Sequence, residues 1–147
     1  MTEDDIEALM NGFLDGTLPV SQWTHVAHCT VTAALLLKRP DLDLEAELPD
    51  LIRRYNLTSG GQNTAMAGYH HSITRFYLEA ITSFVCRQEQ SDVARICRDL
   101  LVSPIGEKDF VLRYYSRGRL FTPAARLNWV EPDVRPFSIT DILPLKP

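Results

Sequence analysis

The chain has 147 residues, 45% of them hydrophobic and 23% charged, with 15 Lys plus Arg against 19 Asp plus Glu, a formal net charge of -4. This length fits a single domain, residues 1–147, with a real core, and the mild acidity argues against general nucleic-acid or anionic-membrane binding. Three cysteines, Cys29, Cys86 and Cys97, lack CxxC spacing, which argues against a disulfide framework or a cysteine zinc ribbon and for a reducing, cytoplasmic setting.

Helical periodicity dominates in chain order. Thr2 caps a first helix with acids in its first turn and Ile6, Leu9, Met10 and Phe13 on one face. Gly16 and Pro19 end it. Ser21 is placed to cap a long second helix that stops before Pro40. A third covers roughly Asp43 to Tyr55, with Pro49 either kinking it or marking its start. TSGGQNTAMAG, from Thr58 to Gly68, is a loop that sets Asn63 and Thr64 near the start of a fourth helix, about Tyr69 to Arg87. It lacks the GKS or GKT of a phosphate loop. Ser91 introduces DVARICRDLLV, EKDFVLRYY reads as a sixth helix, and Thr122-Pro123 opens a short last one. The Pro-rich tail from Glu131 reads as an extended strap. No stretch alternates with a period of two, so the fold class is all-α: a compact bundle with an irregular C-terminal wrap. The acidic, amphipathic start is the reverse of a signal peptide. The charge-free run between Asp15 and Lys38 is too polar and too interrupted for a membrane span.

That run carries WTHVAHC, and with it two of the four histidines. At about 100° per residue from Trp23, His25 falls near 200° and His28 near 140°, on one stripe of a helix with no clearly wet face. On the fourth helix His70 falls inside the apolar stripe of Ile73, Phe76, Tyr77, Ala80 and Ile81, and His71 at its edge. Residues three apart on a helix have Cβ atoms roughly 5–6 Å apart. Two imidazoles and a third from a neighbouring helix would therefore suit a divalent ion such as zinc, iron or nickel, with a position open for solvent or substrate. The alternatives to that leading reading are a metal-free pocket for a small polar or anionic ligand, and buried histidines bonded to carbonyls and hydroxyls in a structural or interaction protein. Cys29, four residues after His25, makes a Cys–His nucleophile pair conceivable, although a buried cysteine is more often a small core residue. Trp23, Asn56, Asn63, Tyr69, His71 and Arg113 are the surrounding ligand-binding candidates. RYYSRGRLFTPAARLNW is rich in arginine and free of acids. Its side chains suit a carboxylate or phosphate, or staple an irregular segment by pairing with the acidic first helix.

The order WTHVAH, RRYN, the NT of GGQNT, GYH with SIT, and RYYSRGRLFTPAARLNWVEPD resembles a family of small bacterial proteins of unassigned function. The likeness runs from Leu14 to Asp133. In that family the third histidine block looks like GYHET, so His71 stands where an acid is expected. The resemblance implies a compact all-helical fold and supports His25, His28 and His70 as one unit; it brings no reaction. The three-histidine arrangement is also similar in style to DinB-like metal-binding bundles, with different spacing. The expectation is a small cytoplasmic protein, compatible with a homo-oligomer. Its pocket would bind a divalent metal or a small molecule, with metal-dependent catalysis on a small polar substrate as one outcome.

Overall fold

A computed structural model describes residues 1–143. It is all-α: seven α-helices, with no strand among the described residues. Helix α1 (Glu3–Asp15) starts where Thr2 accepts from the Asp5 N–H and Asp5 accepts from the Thr2 N–H, a reciprocal cap. It buries Ile6, Met10 and Phe13, the one-face set of its periodicity. It ends at Gly16, whose φ of 79° is left-handed and whose missing side chain leaves room for Thr58.

Helix α2 (His25–Lys38) is the centre of the bundle, packed by α1, α4 and α5. Its residues Cys29 to Leu35 are all buried. The only charge it carries, Lys38, lies at the C-terminal end and pairs with Glu3 at 2.7 Å. Its start differs from the expectation at Ser21. Val20–Gln22 form a 3-10 turn, and Thr24 is the cap, accepting from the Ala27 N–H. The turn leaves Trp23 outside the helix.

Helix α3 (Leu44–Thr58) begins at the cap Asp43 and carries Pro49 within its length. Helix α4 (His71–Cys86) buries Phe76, Ala80, Ile81 and Phe84, and α5 (Val93–Val102) is capped by Asp92. The expected sixth helix over EKDFVLRYY is absent. Two 3-10 turns, Pro104–Gly106 and Phe110–Arg113, carry the chain there instead. The tight packing of Gly106 against the Leu101 carbonyl, with no room for a Cβ, folds this segment back onto the bundle. Phe110, Val111, Tyr114 and Tyr115 are then all buried. Short helices α6 (Arg117–Leu120) and α7 (Pro123–Leu127) follow, capped by Ser116 and Thr122.

The last described segment is the expected strap, with one 3-10 turn at Ile139–Asp141. Its anchors are buried hydroxyls. Ser72 donates to the Asn128 carbonyl and accepts from the Val130 N–H, Tyr115 donates to the Val130 carbonyl, and Tyr114 donates to Asp141. The arginines staple this region, but not to α1. Arg113 pairs with Glu107, Arg119 donates to the Glu131 carbonyl and Arg126 to the Gly68 carbonyl. No helix among the described residues is long and apolar enough to cross a membrane.

Candidate functional site

The unusual histidines do meet a common space. A pocket of about 660 Å³ opens between α2, α3, α4 and the loop joining the last two, and Trp23, His25, His28, Asn56, Tyr69 and His70 all line it. Leu48, Ile52, Ile73, Leu78 and Ile81 supply much of its apolar wall.

His25 is the first residue of α2, so the extended Thr24 cap directs it toward the chain that follows α5. Its Nε2 lies 2.9 Å from the Ile105 carbonyl. That distance requires Nε2 to be the donor and leaves Nδ1 as the nitrogen with no protein partner among the described residues. Tyr77 meets the ring edge-on at 5.0 Å. The Cys29 sulfur is 3.5 Å from the same Nε2. Because that nitrogen carries its proton toward Ile105, it cannot take one from the thiol. Burial pushes the Cys29 thiol up to about 12, so at neutral pH it stays protonated. The geometry favours a packing role for Cys29 over a nucleophilic one.

His28 is different. Its ring stacks on Trp23 with centroids 3.8 Å apart, and Trp23 stacks in turn on Phe13 at 4.7 Å and leans on Tyr55. The result is a column of three rings that ends at the pocket. Neither ring nitrogen of His28 has a protein partner among the described residues. Burial, with a smaller contribution from nearby His25, pulls its pKa down to about 4. At neutral pH it offers one N–H and one lone pair.

His70 corrects the helical phase assigned to it. It lies just before α4, with extended backbone (φ -123°, ψ 109°), and is the helix cap. Its Nδ1 accepts the Ile73 N–H at 3.2 Å, and its Nε2 donates to the Leu120 carbonyl at 2.8 Å. Both nitrogens are engaged in one neutral tautomer. Burial lowers its pKa. An ion shared by His25, His28 and His70 would have to displace one of those two bonds. Among the described residues no three His, Cys, Asp or Glu are arranged to hold a metal.

Three other candidates fall outside the lining. His71 points to Tyr69, whose hydroxyl hydrogen-bonds with its Nδ1 at 2.9 Å. Asn63 is a structural hub: it accepts from Asn56 and the Tyr69 N–H and donates to the Arg53 carbonyl. It thereby ties the loop to α3 and delivers Tyr69 and His70 to the pocket. Gly68, at φ 84°, completes this closure, since a Cβ there would strike the Gln62 carbonyl. Arg113 is exposed, ion-paired with Glu107 and stacked over Phe110, away from the pocket.

Tyr77 and Lys108 line the pocket and were not singled out from sequence. Tyr77 reads there only as one more member of an apolar stripe; its oxygen in fact accepts the Val111 N–H at 3.2 Å. Lys108 has no sequence signal at all, because a chain reversal after α5 brings it to the rim.

No known family, curated protein or solved structure matches this chain. The pattern from WTHVAH to RYYS therefore stands on its own residues.

Proposed function

We propose that the protein binds a small, flat, largely apolar molecule carrying one hydrogen-bonding group, which lies against His28 in the pocket between α2, α3 and α4. The observation that carries this reading is His28 itself. It is half-buried, it closes a stack of aromatic rings, and neither of its nitrogens has a protein partner among the described residues. Those nitrogens face the pocket, where a ligand that supplies a donor or acceptor beside a flat apolar body can bond one of them while it stacks on the column.

A metal-assisted form of the same site is the second reading. The open nitrogens of His25 and His28 supply two donors for zinc, iron or nickel, with the bound molecule and solvent as further ligands. It is favoured by the neutrality of His28, a deprotonated imidazole being what a metal needs.

Calorimetry and thermal melting with naphthalene-1-acetamide test the first reading. Saturation at 100 times Kd stabilises by about 2.7 kcal/mol, a rise of roughly 5–10 °C for a chain of this size. His28→Phe, which keeps the stack and removes the nitrogens, should weaken binding about three- to tenfold, and His28→Ala by tenfold or more. No heat and no shift in melting would end the proposal. Elemental analysis tests the second reading: about one metal per chain, lost in both His25→Ala and His28→Ala, would establish it.

A further inference from the structure

The pocket is as informative in its charge as in its shape. The protein carries 19 Asp and Glu, yet among the described residues none lines this pocket. Burial holds two of its lining histidines toward the neutral form, His28 down at about 4 and His70 below the ordinary value. One formal charge remains on the lining, the ammonium of Lys108 at the rim. The contrast with a neighbouring groove that shares Leu78 is sharp: that groove is lined by Asp43, Glu45, Glu79 and Glu131 as well as Arg39 and Arg75. The absence of acids is a property of this pocket and not of the surface.

Lys108 is also positioned and unspent. The segment carrying it is docked on the pocket wall at both ends, by His25 on the Ile105 carbonyl and by Tyr77 on the Val111 N–H. Neighbouring Glu107 is engaged by Arg113. Lys108 makes no ion pair among the described residues.

Resting on the pocket reading above, we propose that the ligand is an amphipathic monocarboxylate: a flat apolar body against His28 and the aliphatic wall, and a carboxylate at the rim against Lys108. An amine of the same shape would meet an ammonium at the rim with no acid on the lining to offset it. A neutral isostere would keep the apolar contacts and lose the charge-assisted one.

Three probes of one shape separate these cases: naphthalene-1-acetate, naphthalene-1-acetamide and 2-(1-naphthyl)ethylamine, titrated by calorimetry. The acid should bind about three- to fivefold more tightly than the amide, the gain of an exposed ion pair. The amine should bind more weakly than either. Raising salt to 0.5 M should weaken the acid and leave the amide unchanged. Lys108 is exposed, so Lys108→Met should fold normally. It should bring acid and amide within about twofold, while Lys108→Arg keeps the preference. Equal binding of acid and amide, tightest binding of the amine, or a preference that survives Lys108→Met would each overturn the charge assignment and leave the pocket reading standing. Failure of all three probes to bind would overturn both.

Discussion

His70 shows how one side chain can be read correctly as buried and wrongly as to its task. An imidazole that accepts a helix N–H through Nδ1 does what Asp, Asn or Ser does at other helix starts. Here its second nitrogen reaches across fifty residues of sequence to Leu120. No local pattern announces that pairing, because histidine is rare among cap signals and the partner is a carbonyl set by the tertiary fold. The consequence separates His70 from its neighbour. His70→Ala removes a cap and strands the Leu120 carbonyl, and should cost about 2–3 kcal/mol. His70→Asn, which can still cap, should recover roughly half. His71→Ala gives up a single hydrogen bond, to Tyr69, and should cost about 1 kcal/mol. Urea denaturation of the three variants checks the order; a His71 variant less stable than His70→Ala would refute the cap assignment.

Among the elements, those with strong caps and long apolar periods were legible. Thr2 with Ile6, Met10 and Phe13, Asp43 before α3, and Thr122-Pro123 before α7 all lie where their chemistry puts them. The misreadings fall where a local signal lost to packing. Ser21 is a good cap residue, but Val20–Gln22 turn as a 3-10 helix and the capping passes to Thr24. That shift places His25 in the first turn and frees Trp23 to stack on His28. The segment after α5 has helical composition, yet Gly106 locks it against Leu101 and it turns twice as 3-10. The central position of α2 was legible from its lack of charge and carries a stringent prediction. Ala34 is fully buried. Ala34→Asp would place an unpaired carboxylate in the core, at a cost of about 3–5 kcal/mol. Circular dichroism melting should show a large drop or no cooperative transition; near-normal melting would show that α2 is not central.

At the scale of the molecule, three of the four histidines are held toward the neutral state, and this gives the fold a pH dependence whose sign can be worked out. Burial lowers the pKa of His28, His70 and His71, in the first case to about 4. An unfolded histidine titrates near 6.5. Between those values the unfolded chain binds more protons than the folded one, so stability rises with pH through the window. The stabilisation is complete above about pH 6.5 and is lost as pH falls toward 4. At about 1.4 kcal/mol per pKa unit, His28 alone accounts for up to roughly 3 kcal/mol. His70 adds to the same slope, since a protonated Nδ1 could no longer accept the Ile73 N–H. Urea unfolding at pH 7.0, 5.5 and 4.5 should therefore give a steady fall in stability. His28→Gln, which does not titrate, should lower the pH 7 value and flatten the slope by as much as one proton. A ligand lying against neutral His28 would share this dependence, with binding lost over the same acid range as the fold. A His28→Gln slope identical to that of the native protein would mean that His28 is not held neutral by its surroundings, and the pocket reading that rests on a neutral His28 would fall with it.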